Sequence, residues 1–180
     1  MTVFDFDDHH PGNDAMPWML RLKEINPAFK ATLFSVPGLG SRDFWESHPE
    51  WIEIAWHGHF HPTPVECLHW DREQMERLLD DPIMDCRTTD GWKSPGWCTS
   101  PAIYEVLRER QWWIADQHIA DAARPSDMRV YLWEDGPNWH GHVDNVCGNG
   151  IQETWGALVE KVRATNDFRF ASEAVKVPVA

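Results

Sequence analysis

The chain has 180 residues, 42% of them apolar and 25% charged, a composition that suits one globular domain and excludes disorder as its default state. Its 29 acidic against 16 basic side chains give a net charge of −13, which argues against nucleic acid and anionic membranes as partners. Twelve Trp stand beside only two Tyr and ten His, and this calls for explanation, since a Trp ring is best accommodated buried or stacked.

Val3-Phe4-Asp5-Phe6 predicts a strand that ends at Asp7-Asp8, and Pro11-Gly12-Asn13-Asp14 predicts a loop. Residues 15 to 26 read as a helix with Pro17 in its first turn and Pro27 as its stop. Phe29 to Val36 reads as a second strand, and Ser41 as the cap of a short helix up to His48. Trp51 to Trp56 alternates and predicts a third strand, which runs directly into His57-Gly58-His59-Phe60-His61-Pro62. Asp71, with Gln74 three residues on, reads as a capping box for a helix ending near Asp80. Gly91 to Ser94 is a fourth strand, and Ser100-Pro101 opens a helix to Arg110. Trp112 to Asp116, Arg129 to Trp133 and Trp139 to Val143 are further strands. Ile151 to Thr165 is a helix, and Phe168 to Phe170 a last short strand.

Helices and strands alternate from end to end, without a linker or repeat. That order predicts parallel βαβ units in one α/β domain. No apolar run is long enough to span a bilayer. The first residues lack a basic n-region and an apolar h-region, which points to a cytoplasmic protein. Cys67, Cys86, Cys98 and Cys147 form no CxxC pair and read as free thiols in a reducing compartment.

The polar groups cluster just after strands. Asp7-Asp8 follows the first, His57, His59 and His61 the third, and Lys93-Ser94-Pro95-Gly96-Trp97 the fourth. Asp116 ends the fifth, and His140-Gly141-His142 lies in or after the seventh. In α/β barrels and open sheets, sites form at the carboxyl ends of strands, so these segments converge on one end of the domain. His57 and His61, four apart, can both reach one ion, with Asp8 as the natural third ligand. Neighbouring residues of a regular strand point to opposite faces. Asp7 and Asp8 therefore share a site only if the strand ends there, one binding metal while the other acts as base. Taken singly, each cluster has a bland reading: Asp-Asp as a turn, HxHxH as a solvated edge, Lys93 to Gly96 as a turn, and His140 to His142 as structural.

In this order, the segments resemble the polysaccharide deacetylase family (NodB homology, carbohydrate esterase family 4). Asp5-Phe6-Asp7-Asp8-His9 resembles its first motif, Thr-Phe-Asp-Asp-Gly, and His57 to Pro62 resembles its His-x-x-x-His. Lys93-Ser94-Pro95-Gly96-Trp97 is similar to its Arg-x-Pro segment, Trp113 to Asp116 to its fourth motif, and Trp139 to His142 to its fifth. The likeness runs from residue 5 to about residue 142 and implies one deacetylase-like domain over 1–180, an irregular (β/α)7-type barrel. It implies removal of acetyl from an N-acetylated glycan, chitin-like or peptidoglycan-like, with a divalent ion, zinc first, cobalt or nickel also suited. Asp7 would be the general base, and Asp8, His57 and His61 the metal ligands. Backbone N–H groups near Gly96 and Trp97 would hold the oxyanion. The general acid would be His142 or His140, with His142 favoured because Gly141 before it suits close approach of a ligand. Asp116 would orient that imidazole. Two positions depart from the family: His9 stands where it has Gly, and Lys93 where it has Arg. Lys93 supplies the charge that steadies the base without the planar two-pronged contact.

Trp97 and Trp139, beside these motifs, are expected to line the sugar cleft, whereas Trp56, Trp112 and Trp113 are expected in the core. Two other readings remain open from the sequence. One is a hydrolase of another amide or ester on the same site, and the other a catalytically silent relative that binds metal or glycan.

Overall fold

The computed structural model describes residues 1–120, 122–146 and 148–176. Its strands are β1 (Thr2–His9), β2 (Ala31–Ser35), β3 (Ile52–His57), β4 (Gly91–Lys93), β5 (Trp113–Asp116), β6 (Val130–Leu132), β7 (Trp139–His142) and β8 (Phe168–Arg169). The helices are α1 (Met16–Ile25), α2 (Arg42–Glu46), α3 (Arg72–Leu79), α4 (Pro101–Glu109) and α5 (Ile151–Ala164). Each strand and helix expected from the sequence is present, with ends displaced by a residue or two. Local chemistry accounts for the helix starts. The Asp71 carboxylate accepts from Gln74 N–H at 2.9 Å, and Gln74 Oε1 accepts from Asp71 N–H at 3.0 Å, closing the capping box of α3. Pro101 follows the Ser100 cap at the start of α4.

All strand pairs are parallel, in the order β6-β5-β4-β3-β2-β1-β7, with β8 also on β1. This curved sheet with helices packed outside is the irregular (β/α)7-type barrel expected, left open between β6 and β7. Strand alternation divides the side chains into two layers. Phe4, Phe6, Leu33, Ile54, Trp56, Trp92 and Ile114 face outward and form the main core with the helices. Val3, Phe34, Ala55, Trp113, Ala115 and Tyr131 face inward and fill the barrel. Trp56, Trp112 and Trp113 are core residues, as expected.

The floor of the barrel is polar and fully paired. Glu53 is 5% exposed and accepts from Thr32 Oγ1 at 2.8 Å and from the Ser172 amide and hydroxyl, so the turn Ser172–Ala174 closes that end. Burial raises the Glu53 pKa. The opposite end, at the strand carboxyl termini, stays open. No helix among the described residues is long and apolar enough to cross a membrane. Cys67 and Cys86 are buried free thiols and Cys98 a half-buried one; Cys147 lies outside the described residues.

Candidate functional site

The register of β1 explains how its acids reach one cavity. Asp5 and Asp7 lie on the inward face, opposite His140 and His142 of β7. At Asp8 the ladder with β2 slips between Phe6 and His9, and Asp8 adopts φ 68°. A left-handed residue in a bulge re-aims its side chain. Asp8 thereby joins Asp7 instead of pointing to the other face. Asn13 Nδ2 donates to the Asp8 carbonyl at 2.8 Å and holds this turn.

His57 ends β3 and is buried. Its Nδ1–H donates to the Lys93 carbonyl at 3.1 Å, which leaves Nε2 free to face the acids. His57 Nε2 lies 3.5 Å and His61 Nε2 3.3 Å from Asp8 Oδ1. The ligating atoms of the three residues all fall within 4.8 Å of one another. Four-coordinate zinc with bonds of about 2.0–2.2 Å needs ligand atoms roughly 3.3–3.6 Å apart. The set therefore fits a divalent ion in both chemistry and spacing. Burial opposes the charge of Asp8, but the adjoining His57 and His61 hold its carboxyl below the ordinary value.

Asp7, Lys93, His140 and His142 form a second cluster. Lys93 Nζ sits 2.7 Å from Asp7 Oδ1 and 2.6 Å from Oδ2, and Lys93 is only 1% exposed. A Lys therefore does reach both oxygens here, although with one atom rather than a fork. Burial resists the charge on Asp7. Lys93 first, then His57, His140 and His142, nonetheless keep it well below the usual carboxylate range. His140 Nε2 and His142 Nε2 stand 3.9 and 3.8 Å from Asp7 Oδ2. These three groups could also surround an ion. The Lys93 ammonium already occupies the Asp7 oxygens, so the cluster is better suited to handling protons.

Both imidazoles are oriented from behind. His140 Nδ1–H donates to Asp5 Oδ1 at 2.6 Å, and Tyr131 Oη–H donates to Asp5 Oδ2 at 2.8 Å. His142 Nδ1–H donates to Asn149 Oδ1 at 2.7 Å. Asp7, Asp8, His57, His61, Gly96, Trp97 and His142 line one cleft of about 380 Å³. Leu39, Phe60 and Val146 form part of the same wall, and all three are exposed. His140 lies deeper and is not on that wall.

No family model matches the sequence, and no curated protein matches it. Solved structures do match the fold. A family 4 acetyl xylan esterase from Clostridium thermocellum, in complex with cobalt, is 16% identical with a TM-score of 0.62, covering 96% of this chain and 89% of its own. The chitin deacetylase of the fungal pathogen Colletotrichum lindemuthianum is 13% identical with a TM-score of 0.59, covering 96% and 86%. A family 4 pseudoenzyme from Bacillus anthracis is 12% identical with a TM-score of 0.65, covering 97% and 64%. The fold is that of the family 4 carbohydrate esterases. The strand order of that fold brings the first, second, third and fifth motif segments of this chain to one rim.

Two expectations need correction. Asp116 does not reach His142. On β5, Asp116 shares the outward face with Ile114, and Tyr104 of α4 donates to its Oδ2 at 2.7 Å. Arg124 Nη1 donates to the same oxygen at 3.0 Å, and the Gln117 amide to Oδ1 at 2.9 Å. Trp139 is not on the cleft either. It pairs with Phe4 in register, packs on the outward core, and buries an indole N–H that has no hydrogen-bond partner among the described residues. Trp97 does line the cleft, and its ring centroid lies 3.9 Å from Lys93 Nζ. The Trp97 amide already donates to the Ser94 carbonyl at 3.0 Å, which leaves Gly96, at φ 55°, as the amide to consider for an oxyanion.

Sequence reasoning missed Asp5, Tyr131 and Asn149 as the partners that orient the two imidazoles. A signal for Asp5 was present, because a period of two puts it on the face of Asp7. Tyr131 comes from a distant strand and Asn149 from the loop after β7, and neither stands in a pattern that marks it.

Proposed function

We propose that the chain is a metal-dependent hydrolase that removes N-acetyl groups from an amino-sugar polymer or oligomer, chitin-like or peptidoglycan-like. The observation that carries this reading is one cleft with a His-His-Asp ligand set on one side of Asp7 and His142 on the other. A divalent ion held by Asp8, His57 and His61 would supply Lewis acidity toward an acyl oxygen. Asp7, kept charged by Lys93, takes the proton of the attacking water at a carboxylate oxygen. His142 keeps its Nδ1–H on Asn149, so its Nε2 can carry a proton to the leaving amine. The Gly96 N–H is the backbone donor for the developing oxyanion, a group whose loss typically costs roughly 10²–10³ in rate. The Trp97 ring offers an apolar face against which a pyranose can stack.

The chitin deacetylase neighbour supports the substrate class, and the cobalt-bound esterase supports the ion. The pseudoenzyme neighbour keeps a silent, metal- or glycan-binding relative as the second reading. Acetate release from N-acetylglucosamine oligomers, with and without chelator, separates the two. Turnover that disappears with chelator and in Asp7→Asn and His57→Ala is the expected result. Metal and glycan binding without turnover selects the silent relative. Turnover confined to other acyl amides or esters moves the substrate class.

A further inference from the structure

His61 can act as a ligand only if the loop after β3 turns it back toward Asp8. That loop is unusual. Gly58 has φ 63° and His61 φ 50°, so the backbone enters the left-handed region twice within four residues. Successive N–H groups in such a turn point to a common centre and form a concave anion site. Here the centre is filled from within the chain. Glu66 Oε2 accepts from the His59 amide at 3.0 Å and the His61 amide at 3.1 Å, and Oε1 accepts from the Phe60 amide at 3.0 Å. One carboxylate thus ties three consecutive amides.

The rest of the loop is built around that contact. A Cβ on Gly58 would stand 2.3 Å from Glu66 Oε2, so the carboxylate occupies space that a side chain at 58 would need. Glu66 is itself anchored. Its amide donates to the Thr63 carbonyl at 3.2 Å, and the next residue, Cys67, is fully buried in the core. Buried anchorage on one side and three amide bonds on the other give Glu66 little freedom.

We propose that Glu66 is a positioning residue for the metal site: it stores the turn that sets His61 before any ion arrives. The inference rests on the reading of Asp8, His57 and His61 as ligands. It adds that ion affinity depends on a carboxylate that never touches the ion. Without the tie, His61 would have to leave an extended backbone for a left-handed one as the ion binds. Partners that orient ligands from behind typically change metal affinity by about 10- to 100-fold.

The test is titration of the metal-free protein with Zn2+ against a competing chelator, and with Co2+ followed by its visible absorption. Glu66→Gln keeps the shape but only one acceptor oxygen. It should bind either ion roughly 10- to 100-fold more weakly. Glu73→Gln, exposed on α3, is the control and should bind as wild type. In parallel, amide hydrogen exchange of metal-free wild type should show residues 59, 60 and 61 protected. Glu66→Gln should lose that protection and leave the α3 amides unchanged. Equal ion affinity in wild type and Glu66→Gln overturns the role of Glu66 alone. Wild type that binds no ion overturns this inference and the hydrolase reading together. If Glu66→Gln does not fold, wild-type exchange decides: protected amides sustain the assignment, and loop-like exchange at 59–61 overturns it.

Discussion

His9 is buried at the end of β1, and its hydrogen bonds give it a pH dependence that can be worked out. The Ala15 amide donates to His9 Nδ1 at 3.1 Å, so that nitrogen is an acceptor and the ring proton sits on Nε2. His9 Nε2–H then donates to His48 Nε2 at 2.8 Å, and His48 Nδ1–H donates to the Trp45 carbonyl at 3.1 Å. Every ring nitrogen is used and both rings are neutral. Protonating either ring puts two donors face to face. Burial first, and His48 second, push the His9 pKa from 6.5 down to about 3, and burial also lowers that of His48. A histidine with a depressed folded pKa contributes stability that is full above 6.5 and is lost as pH falls toward 3. Between pH 6.5, where an unfolded histidine is half protonated, and pH 4.5, that loss for His9 is about 2 kcal/mol, or roughly 6 °C in Tm for a chain of this size. Glu53 acts in the opposite sense, because its raised pKa favours the fold as pH falls. Asp7 and Asp8, held charged, lose their contributions only below the ordinary carboxylate value near 3.8. Urea unfolding of wild type and His9→Gln at pH 6.5, 5.5 and 4.5, in chelator, isolates the pair, because the other groups cancel in the difference. Wild type should lose about 2–3 kcal/mol more than the variant across that range. An equal acid slope in both proteins would refute the tautomer chain.

Lys93→Met leaves Asp7 buried without its cation and should cost about 3–5 kcal/mol, read by urea unfolding. The same change should move the acid limb of the pH–rate profile upward, because Asp7 loses its main stabilising charge. Trp97→Ala should raise KM for sugar oligomers more than it lowers kcat, and glycan titration should no longer shift tryptophan emission; unchanged KM would remove Trp97 from the cleft wall. Asp116→Asn should cost about 1–3 kcal/mol of stability through its bonds to Tyr104 and Arg124. Its kcat should remain within about twofold, since its hydrogen bonds among the described residues go to Tyr104, Arg124 and Gln117 and not to His142. A hundredfold loss of kcat would restore Asp116 to the catalytic set.

The fold was legible because its layers follow a period of two on strands and a capped pattern on helices. The Asp71 and Ser100 caps and the Trp51 to Trp56 alternation each mark an element without tertiary help. The same rule separates Asp116 and Trp139 from Asp5. Ile114 and Asp116 share a face, as do Phe4 and its neighbour in register Trp139, and in both cases that face carries large apolar groups toward the helices. Asp5 and Asp7 share the other face. Parity along each strand therefore favours Asp5 over Asp116 as the carboxylate near the imidazoles of β7. Proximity to a motif in sequence pointed the other way.

What parity cannot supply is the backbone that departs from it. Among the described residues, four non-glycine residues have positive φ, and three of them are Asp8, His61 and Trp97. Such conformations cost of order 1–3 kcal/mol each and persist only where the surroundings over-determine them. Each has its own restraint: Asn13 on the Asp8 carbonyl, Glu66 on the His61 amide, and the Ser94 carbonyl on the Trp97 amide. Asn13 and Glu66 lie outside the motif segments. The residues that would do chemistry are therefore recognisable by type and spacing, but those that hold them are chosen by where a loop happens to return. A variant that keeps every motif residue yet loses Asn13 or Glu66 would retain the sequence signature and lose the shape of the site.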